Sequence, residues 1–440
     1  MSQQLPRLVF DLFAGCGGLS LGLENAGFSP ALVCELDDHA RSTYLRNRHH
    51  FIGKKKFNKT TDLHFGSVNT ITDESLKTVM QSLQEAYETS SYPDVDLVVG
   101  GPPCQGYSGI GHRRSYGVEK KELPSNRLFE PMANLIQKIQ PKIFLFENVK
   151  GILSGRWTKG GTKGEIWQDV RNCFQNIDGY TTNWQLIQAK DYGVPQNRPR
   201  VLLVGIRHDI AAKVGIGTKH RDASAVEHGL LPEPNVISPP HLDDLLSDLV
   251  DSNITDALLR QEFPSPFQNS TYLHEPKTKV QEAMRTRPDG SKLRSGDPLT
   301  EQEYSKHRLS VVSKFKFMLE NNGQIADRHA TKKFAQRLLP PKWGNKGPSI
   351  TATSLPDDYV HFEQPRILTV REWARLQTFP DWYEFSGKRT TGGTRRAGVP
   401  TKGIFDRELP KYTQIGNAVP VTLAKLVGEH FVTILERAGD

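Results

Sequence analysis

The sequence predicts an α/β chain: a mixed sheet with helices on both faces, joined to a smaller and irregular second unit. Residues 8–206 alternate short apolar runs with helical stretches, the pattern of successive βαβ units. From about 207 to 347, charge, proline and asparagine rise and the apolar runs shorten. Orderly apolar patterning returns over 365–380 and 412–434. The chain therefore divides into a first domain of residues 1–206, completed by 412–440, and a second of residues 207–411. Its 440 residues exceed what one ordinary hydrophobic core organises, which agrees with two domains.

LVFDLF (8–13) and ALVCE (31–35) are the first predicted strands. Between them GGLSLGLENAGF sets Leu19, Leu23 and Ala26 at i, i+4 and i+7, a helix with one buried face. VDLVVG (95–100) is a short apolar run bounded by glycine and reads as a buried parallel strand. It runs straight into GGPPCQGYSG (100–109), where Pro102 and Pro103 fix φ and supply no N–H. The strand is stopped there, and Cys104 falls just past its carboxyl end, where open α/β sheets place their ligands. IFLFENV (143–149) carries Glu147 to the same edge. QNRPRV (196–201) sets Arg198 and Arg200 two apart, on one side of an extended segment. TTNWQLIQA (181–189) and VLLVGI (201–206), joined by a proline-containing loop, close the sheet as an antiparallel pair. In the second unit PPHLDDLLSDLV and SKHRLSVVSKFKFMLENNG retain helical patterning, so it folds rather than trailing as a tail.

Lys and Arg number 57 against 49 acidic residues, a net charge of +8, which favours a polyanionic partner. The plainer reading of that balance is a mildly basic soluble enzyme, and Lys54, Lys55 and Lys56 read as a solvated loop. No stretch approaches about 20 consecutive apolar residues, and MSQQLPRLVF has no apolar leader, so a cytoplasmic protein without a membrane segment is expected. Four cysteines (16, 34, 104 and 173) with no Cys-x-x-Cys pair exclude a disulfide framework and give no sign of a metal site.

DLFAGCGG (11–18) leaves a strand, turns on glycines and enters a helix, the geometry that brings backbone N–H groups against a ligand. Ser20 stands where the dinucleotide pattern has its third glycine. Glu35 ends the next strand 20 residues after Gly15, where a carboxylate accepts from ribose hydroxyls. Loop and carboxylate together point to a nucleoside cofactor, and the absence of a G-x-x-x-x-G-K-[ST] pattern argues against phosphoryl transfer.

DLFAGCGG, PPCQGYS, ENV, QNRPR, RILTVREWARLQTFPD (366–381) and QIGNAVP (414–420), in this order, resemble the bacterial DNA (cytosine-5) methyltransferase family over residues 8–206 and 365–434. The resemblance implies an S-adenosylmethionine-dependent, Rossmann-like methyltransferase domain with a target-recognition domain. It implies Cys104 as the nucleophile that adds to cytosine carbon 6, because carbon 5 is itself too poor a nucleophile to take a methyl group. Glu147 would bond the ring nitrogen N3 and the exocyclic amine, and Arg200, with Arg198, would hold the base O2 and favour the thiolate. S-adenosylmethionine would lie on Phe13, Gly15, Gly17, Glu35, Pro102 and Asn417, which requires the C-terminal segment to fold back beside the first loop. Where the family has Gly-Asp-Ile for the adenine amine, this chain has Gly66-Ser67-Val68, leaving Asp62, Ser67 or backbone for that contact. ARLQTFP reads as scaffold packing between the domains.

A cytosine inside a duplex must swing out to meet a thiol. Gly106, Gly109, Gly111 and Gly117, with His112, Arg113, Arg114, Lys120 and Lys121, make the segment after Cys104 a basic, hinged loop expected to close on double-stranded DNA. Ser108, Arg113, Arg114 and Gln196 are the expected DNA contacts there. Sequence choice is expected in the unmatched region, among groups such as Arg285, Arg287, Lys292, Arg294, Lys332, Lys333 and Arg337. PSITAT (348–353) resembles the family's entry to the scaffold of that region, and GKRTTGGTRRAG (387–398) is a basic insertion. The reading is a monomeric modification enzyme of a restriction–modification system, with a cognate endonuclease acting on the same site. With the first motif beginning at residue 8, no N-terminal regulatory domain is expected. Two rivals are a tRNA cytosine-5 methyltransferase, whose Cys-Phe-Thr signature is absent, and a catalytically idle DNA-binding regulator, against which Cys104, Glu147 and Arg200 argue.

Overall fold

The computed structural model describes residues 5–103, 124–158, 160–217, 223–234, 238–327, 336–344, 347–350, 358–391 and 408–439. Seven strands form its main sheet: β1 (Arg7–Leu12), β2 (Phe28–Cys34), β3 (His64–Phe65), β4 (Leu97–Gly100), β5 (Ile143–Val149), β6 (Tyr180–Gln188) and β7 (Pro199–Arg207). Their order is β3-β2-β1-β4-β5-β7-β6. β1 to β5 run parallel, and β7 lies antiparallel between β5 and β6. The two glycine- and proline-bounded loops thus leave the sheet side by side at its carboxyl edge, after β1 and β4. β3 is a strand the sequence does not announce, because two residues paired to Val33 and Cys34 are too few to show an alternation.

Residues alternate between the two faces as the strand pleat requires. On one face Phe10, Leu12, Val98, Phe144, Phe146 and Leu203 pack with the helices α2 (Asp38–Arg46), α3 (Asp73–Tyr87), α4 (Phe129–Ile139) and α5 (Glu165–Gln175). On the other, Val9, Val99, Leu145, Leu202 and Val204 meet α1 (Gly18–Asn25), α6 (His208–Val214) and α13 (Val421–Arg437). Gly22 and Gly428 let α1 and α13 close on each other, since a Cβ on Gly22 would meet Ala424 Cβ at 2.4 Å. Six consecutive residues of α1, Gly18 to Leu23, are buried, so it does not keep the single buried face that its spacing predicts. The reason is that a third cluster, which includes Leu21, covers its other side. Lys411–Arg437 passes a length-and-composition test for a membrane span, though charged residues interrupt it and it is no run of about 20 consecutive apolar residues. Its apolar content is accounted for by the eight buried residues of α13, a core helix.

The second unit carries α7 (Leu242–Leu246), α8 (Ser252–Arg260), α9 (Lys279–Met284), α10 (Leu309–Glu320) and α11 (Val370–Leu376), followed by α12 (Lys411–Asn417). α11 starts on a capping box between Thr369 and Glu372, and all seven of its residues are buried. It is the scaffold expected of the ARLQTFP stretch, but its interior is ionic. Arg366 makes a two-point bond to Glu372 at 2.6 and 2.8 Å. Arg375 binds Asp248 at 2.5 Å and Asp381 at 2.6 Å, and Arg285 binds the same Asp248 at 2.6 Å. Every one of these side chains is 1% exposed or less. Two Arg on one carboxylate survive burial only because the fork geometry fills each donor and acceptor.

Candidate active site

The loop after β1 is held in an unusual backbone state. Phe13, Gly15 and Gly17 all have positive φ, at 62°, 56° and 87°. Gly15 donates its N–H to Glu35 Oε2 at 2.8 Å, and Glu35 Oε1 accepts from Asp37 N–H at the same distance. Burial pushes the Glu35 carboxyl up, and these two backbone N–H groups pull it back. A Cβ built on Gly15 would meet nothing within 4 Å, so the loop opens onto free space there, beside a carboxylate fixed in place. That is a cradle suited to a nucleoside. Gly17 owes its lack of a side chain to a different neighbour: its Cβ would lie 2.7 Å from Arg48 Nη1 and 2.8 Å from Tyr383 Oη. Asn417 is the exposed last residue of α12, which stands beside this loop: Cys16 Sγ donates to Gln414 O at 3.3 Å. Asp62 is exposed, and Ser67 Oγ caps a short turn by accepting from Asn69 N–H at 3.3 Å.

Asp11 lies fully buried beneath this loop, accepting from Ser20 Oγ, and desolvation pushes its carboxyl up to about 7. Because the folded state prefers the protonated acid, the stabilisation is complete below the usual 3.8 and is lost as pH rises through about 7. Asp11→Asn is therefore expected to flatten the decline in melting temperature that the parent shows over that interval, as read by thermal denaturation at stepped pH.

Glu147 reaches the edge on β5, directly opposite Leu202 of β7. Arg200, two residues along β7, is the diagonal neighbour on the same face, within reach of a long side chain. Arg200 Nε pairs with Glu147 Oε1 at 2.5 Å, both side chains being about nine-tenths buried. Glu147 Oε2 also lies where a Cβ on Gly101 would sit 2.9 Å away, so the carboxylate abuts the backbone leading into Pro102. From the other face of β5, Asn148 Nδ2 donates to Pro102 O at 3.1 Å. Pro102, Pro103, Phe146 and Asn148 line a small pocket together with Asn126, Phe129, Ile152 and Val170. Carboxylate, guanidinium and the two prolines before Cys104 are thus assembled at one point.

Arg198 and Gln196 are placed differently from expectation. Arg198 is on the same side as Arg200, as spacing requires, but it donates to the carbonyls of Gly416 at 2.7 Å, Ala418 at 2.9 Å and Ile350. Buried without a carboxylate of its own, its guanidinium is pushed down in pKa. It fastens the C-terminal segment to β7 rather than facing a base. Gln196, expected to touch DNA, is fully buried: its amide donates to Leu376 O and to Gln377 Oε1 at 2.7 Å, and accepts from Ile350 N–H at 3.2 Å. Arg285 is likewise a core ion and not a reader of bases, whereas Lys292 pairs with Glu282 and Arg294 with Glu275 at the surface. Cys104, Ser108, Arg113, Arg114, Lys332 and Lys333 lie outside the described residues. The three described cysteines are free thiols; burial pushes Cys16 and Cys34 up to about 12 and Cys173 to about 11, which leaves them poor nucleophiles. Among the described residues no three His, Cys, Asp or Glu converge to hold a metal. Sequence reasoning missed Asn148, Arg48 and Tyr383; only Asn148, within ENV, carried a signal, its place in a strand-end motif.

A family model described as C-5 cytosine-specific DNA methylase matches residues 8–433. The chain is similar to the type II methyltransferase M.DdeI of Desulfomicrobium norvegicum, 29% identical over 436 residues that cover 96% of this chain and 87% of that one. It is 29% identical over 433 residues to M.BspRI of Lysinibacillus sphaericus, covering 96% and 80%. In fold it is similar to the crystal structure of a DNA modification methyltransferase encoded within an E. coli prophage, with a TM-score of 0.64, 22% identity and 98% and 99% of the two chains covered. The chain belongs to the C-5 cytosine-specific DNA methylase family and is a DNA cytosine-5 methyltransferase.

Proposed function

We propose that the enzyme methylates one cytosine of a specific duplex sequence, flipped out of the helix, with S-adenosylmethionine as the methyl source. The observation that carries the catalytic reading is the 2.5 Å Glu147–Arg200 pair set against the Gly101–Pro102 backbone that delivers Cys104. Phe13, Gly15, Glu35, Pro102 and Asn417 would hold the cofactor, with Gly17 permitting the turn. The free space over Gly15 and the fixed Glu35 carboxylate fit such a group. When bound, it supplies an electrophilic methyl group on a sulfonium sulfur. The protein's own residues prepare the base. Cys104 Sγ forms a bond to carbon 6 as the carbon 5–carbon 6 π pair moves toward carbon 5, and Glu147 shares a proton with N3 to neutralise the charge that attack places on the ring. Arg200 keeps Glu147 aimed and faces O2. Once the carbon 5 proton is removed by a base, the thiolate leaves and the aromatic ring is restored.

The type II methyltransferase relatives support a place in a restriction–modification system, alongside an endonuclease that reads the same site. The test is incubation with labelled S-adenosylmethionine and either duplex DNA or tRNA, followed by location of the labelled base. Label at cytosine carbon 5 of DNA is expected; label in tRNA only, or on adenine, overturns the reading. Glu147→Gln is expected to slow single-turnover methylation by about 10²- to 10⁴-fold, the range of a lost proton donor, while cofactor titration stays within about twofold of the parent. Unchanged turnover would remove Glu147 from the mechanism.

A further inference from the structure

The loop that would carry the cofactor is held only in part by its own backbone, Gly17 N–H donating to Ala14 O at 3.0 Å and Leu21 N–H to Gly17 O at 2.9 Å. Three of its five residues from Phe13 to Gly17 have positive φ, and Phe13 bears a side chain in that region. Such a backbone persists only when its surroundings over-determine it. Beneath it lies Arg48, just past the end of α2 and 1% exposed. Its Nη2 donates to Gly17 O at 3.1 Å and pairs with Glu24 Oε1 at 2.7 Å. Its Nη1 donates to Tyr44 O at 2.8 Å and to Tyr383 Oη at 3.2 Å, and the guanidinium stacks 3.5 Å over the Tyr44 ring. Tyr383 Oη in turn donates to Cys16 O at 2.6 Å. The carbonyls of two successive loop residues are thus drawn inward by two fully buried side chains. In a trans peptide the N–H points opposite to the carbonyl. Holding Gly17 O down therefore fixes the direction of Gly18 N–H at the N-terminal end of α1, the end of a helix that carries free backbone donors. Tyr383 is itself held by the scaffold, its carbonyl accepting from Arg371 Nη2 at 3.0 Å while the same nitrogen donates to Thr300 Oγ1 at 2.8 Å.

We propose that Arg48 and Tyr383 are positioning residues that pre-form the cofactor loop by holding the Gly17 and Cys16 carbonyls, so that cofactor affinity depends on two side chains that never touch the cofactor. The inference rests on the methyltransferase reading above. The test compares Tyr383→Phe and Arg48→Lys with Tyr180→Phe in the full chain. Tyr180 supplies a matched loss, since its buried hydroxyl donates to Pro141 O at 2.5 Å at the far end of the sheet. Tyr383→Phe is expected to raise KM for S-adenosylmethionine about fivefold with kcat within about twofold, the scale of one neutral hydrogen bond. Arg48→Lys keeps the charge for Glu24 but loses the forked donors, and is expected to raise KM further. Tyr180→Phe leaves KM as in the parent even where its melting temperature falls as much. If Tyr383→Phe and Arg48→Lys match Tyr180→Phe in KM, the proposal is overturned. Titration with S-adenosylhomocysteine, which needs no DNA and no turnover, separates this outcome from failure of the methylation reading: an inactive parent would sink that reading, while weaker titration of the two variants would still support this one.

Discussion

Cys104→Ala is expected to lower methyl transfer to duplex DNA by about 10⁴-fold or more, the scale on which enzymes lose rate with their nucleophile. Folding is not expected to suffer. Pro102 and Pro103 fix the approach of the chain through their rings, Asn148 holds Pro102 O, and none of these depends on the thiol. The sharper readout is covalent. In duplex DNA carrying 5-fluorocytosine at the target, fluorine replaces the hydrogen that must leave carbon 5 as a proton, so once carbon 5 is methylated the existing carbon 6–sulfur bond cannot break. The parent should be trapped in a complex that survives denaturing electrophoresis, and Cys104→Ala should not. Equal trapping of the variant would transfer the role to another residue. None of the described cysteines is suited to it, for burial raises all three thiols.

The second large effect lies far from the chemistry. Asp248→Ala is expected to destabilise the protein by about 3–5 kcal/mol, the cost of leaving a buried charge without its partner. Asp248 is shared by Arg285 and Arg375, both fully buried. Arg375 would retain Asp381, but Arg285 would be left with His274 O and the face of Tyr272, 3.9 Å away. The comparison is Glu275→Ala, which breaks the exposed pair with Arg294 at 3.5 Å and should cost no more than about 1 kcal/mol. Chemical denaturation of the two variants measures both. Equal losses would mean that the buried network contributes no more than the surface pair.

The strand runs of the first domain were legible because a buried parallel sheet writes itself as short apolar segments bounded by turn residues. β7 and β6 were legible as a closing pair for the same reason. The loop after β1, Glu147 and Arg200 could be placed at one edge from strand ends alone. Their mutual contact follows from a register, Glu147 opposite Leu202, that no local pattern reveals. Arginines were the residues most often misread. Composition counts each as a surface charge, yet Arg48, Arg198, Arg285, Arg366, Arg371 and Arg375 are all 1% exposed or less. Their partners are remote in sequence, as Asp248 is from Arg375 at 127 positions, and a lone cation in a sequence does not announce its carboxylate. Gln196 was misread likewise, because an amide that satisfies three backbone or side-chain groups inside the protein has the same letter as one that faces a base.

The pairing of α1 with α13 sets a schedule for making the enzyme. Cys16, just before α1, and Gln414, just before α13, bond beside this junction and are 398 positions apart. At about 5–20 residues per second, a ribosome needs roughly 20 to 80 s to travel between them. Throughout that interval Leu19 and Leu23 wait on a nascent chain without the Leu423, Val427 and Phe431 that will cover them. Arg198 likewise lacks the Gly416 and Ala418 carbonyls it will hold. Of the two helices, the one translated first must wait for the other, so a chain stopped between them marks no DNA and presents an apolar face for a chaperone to shield.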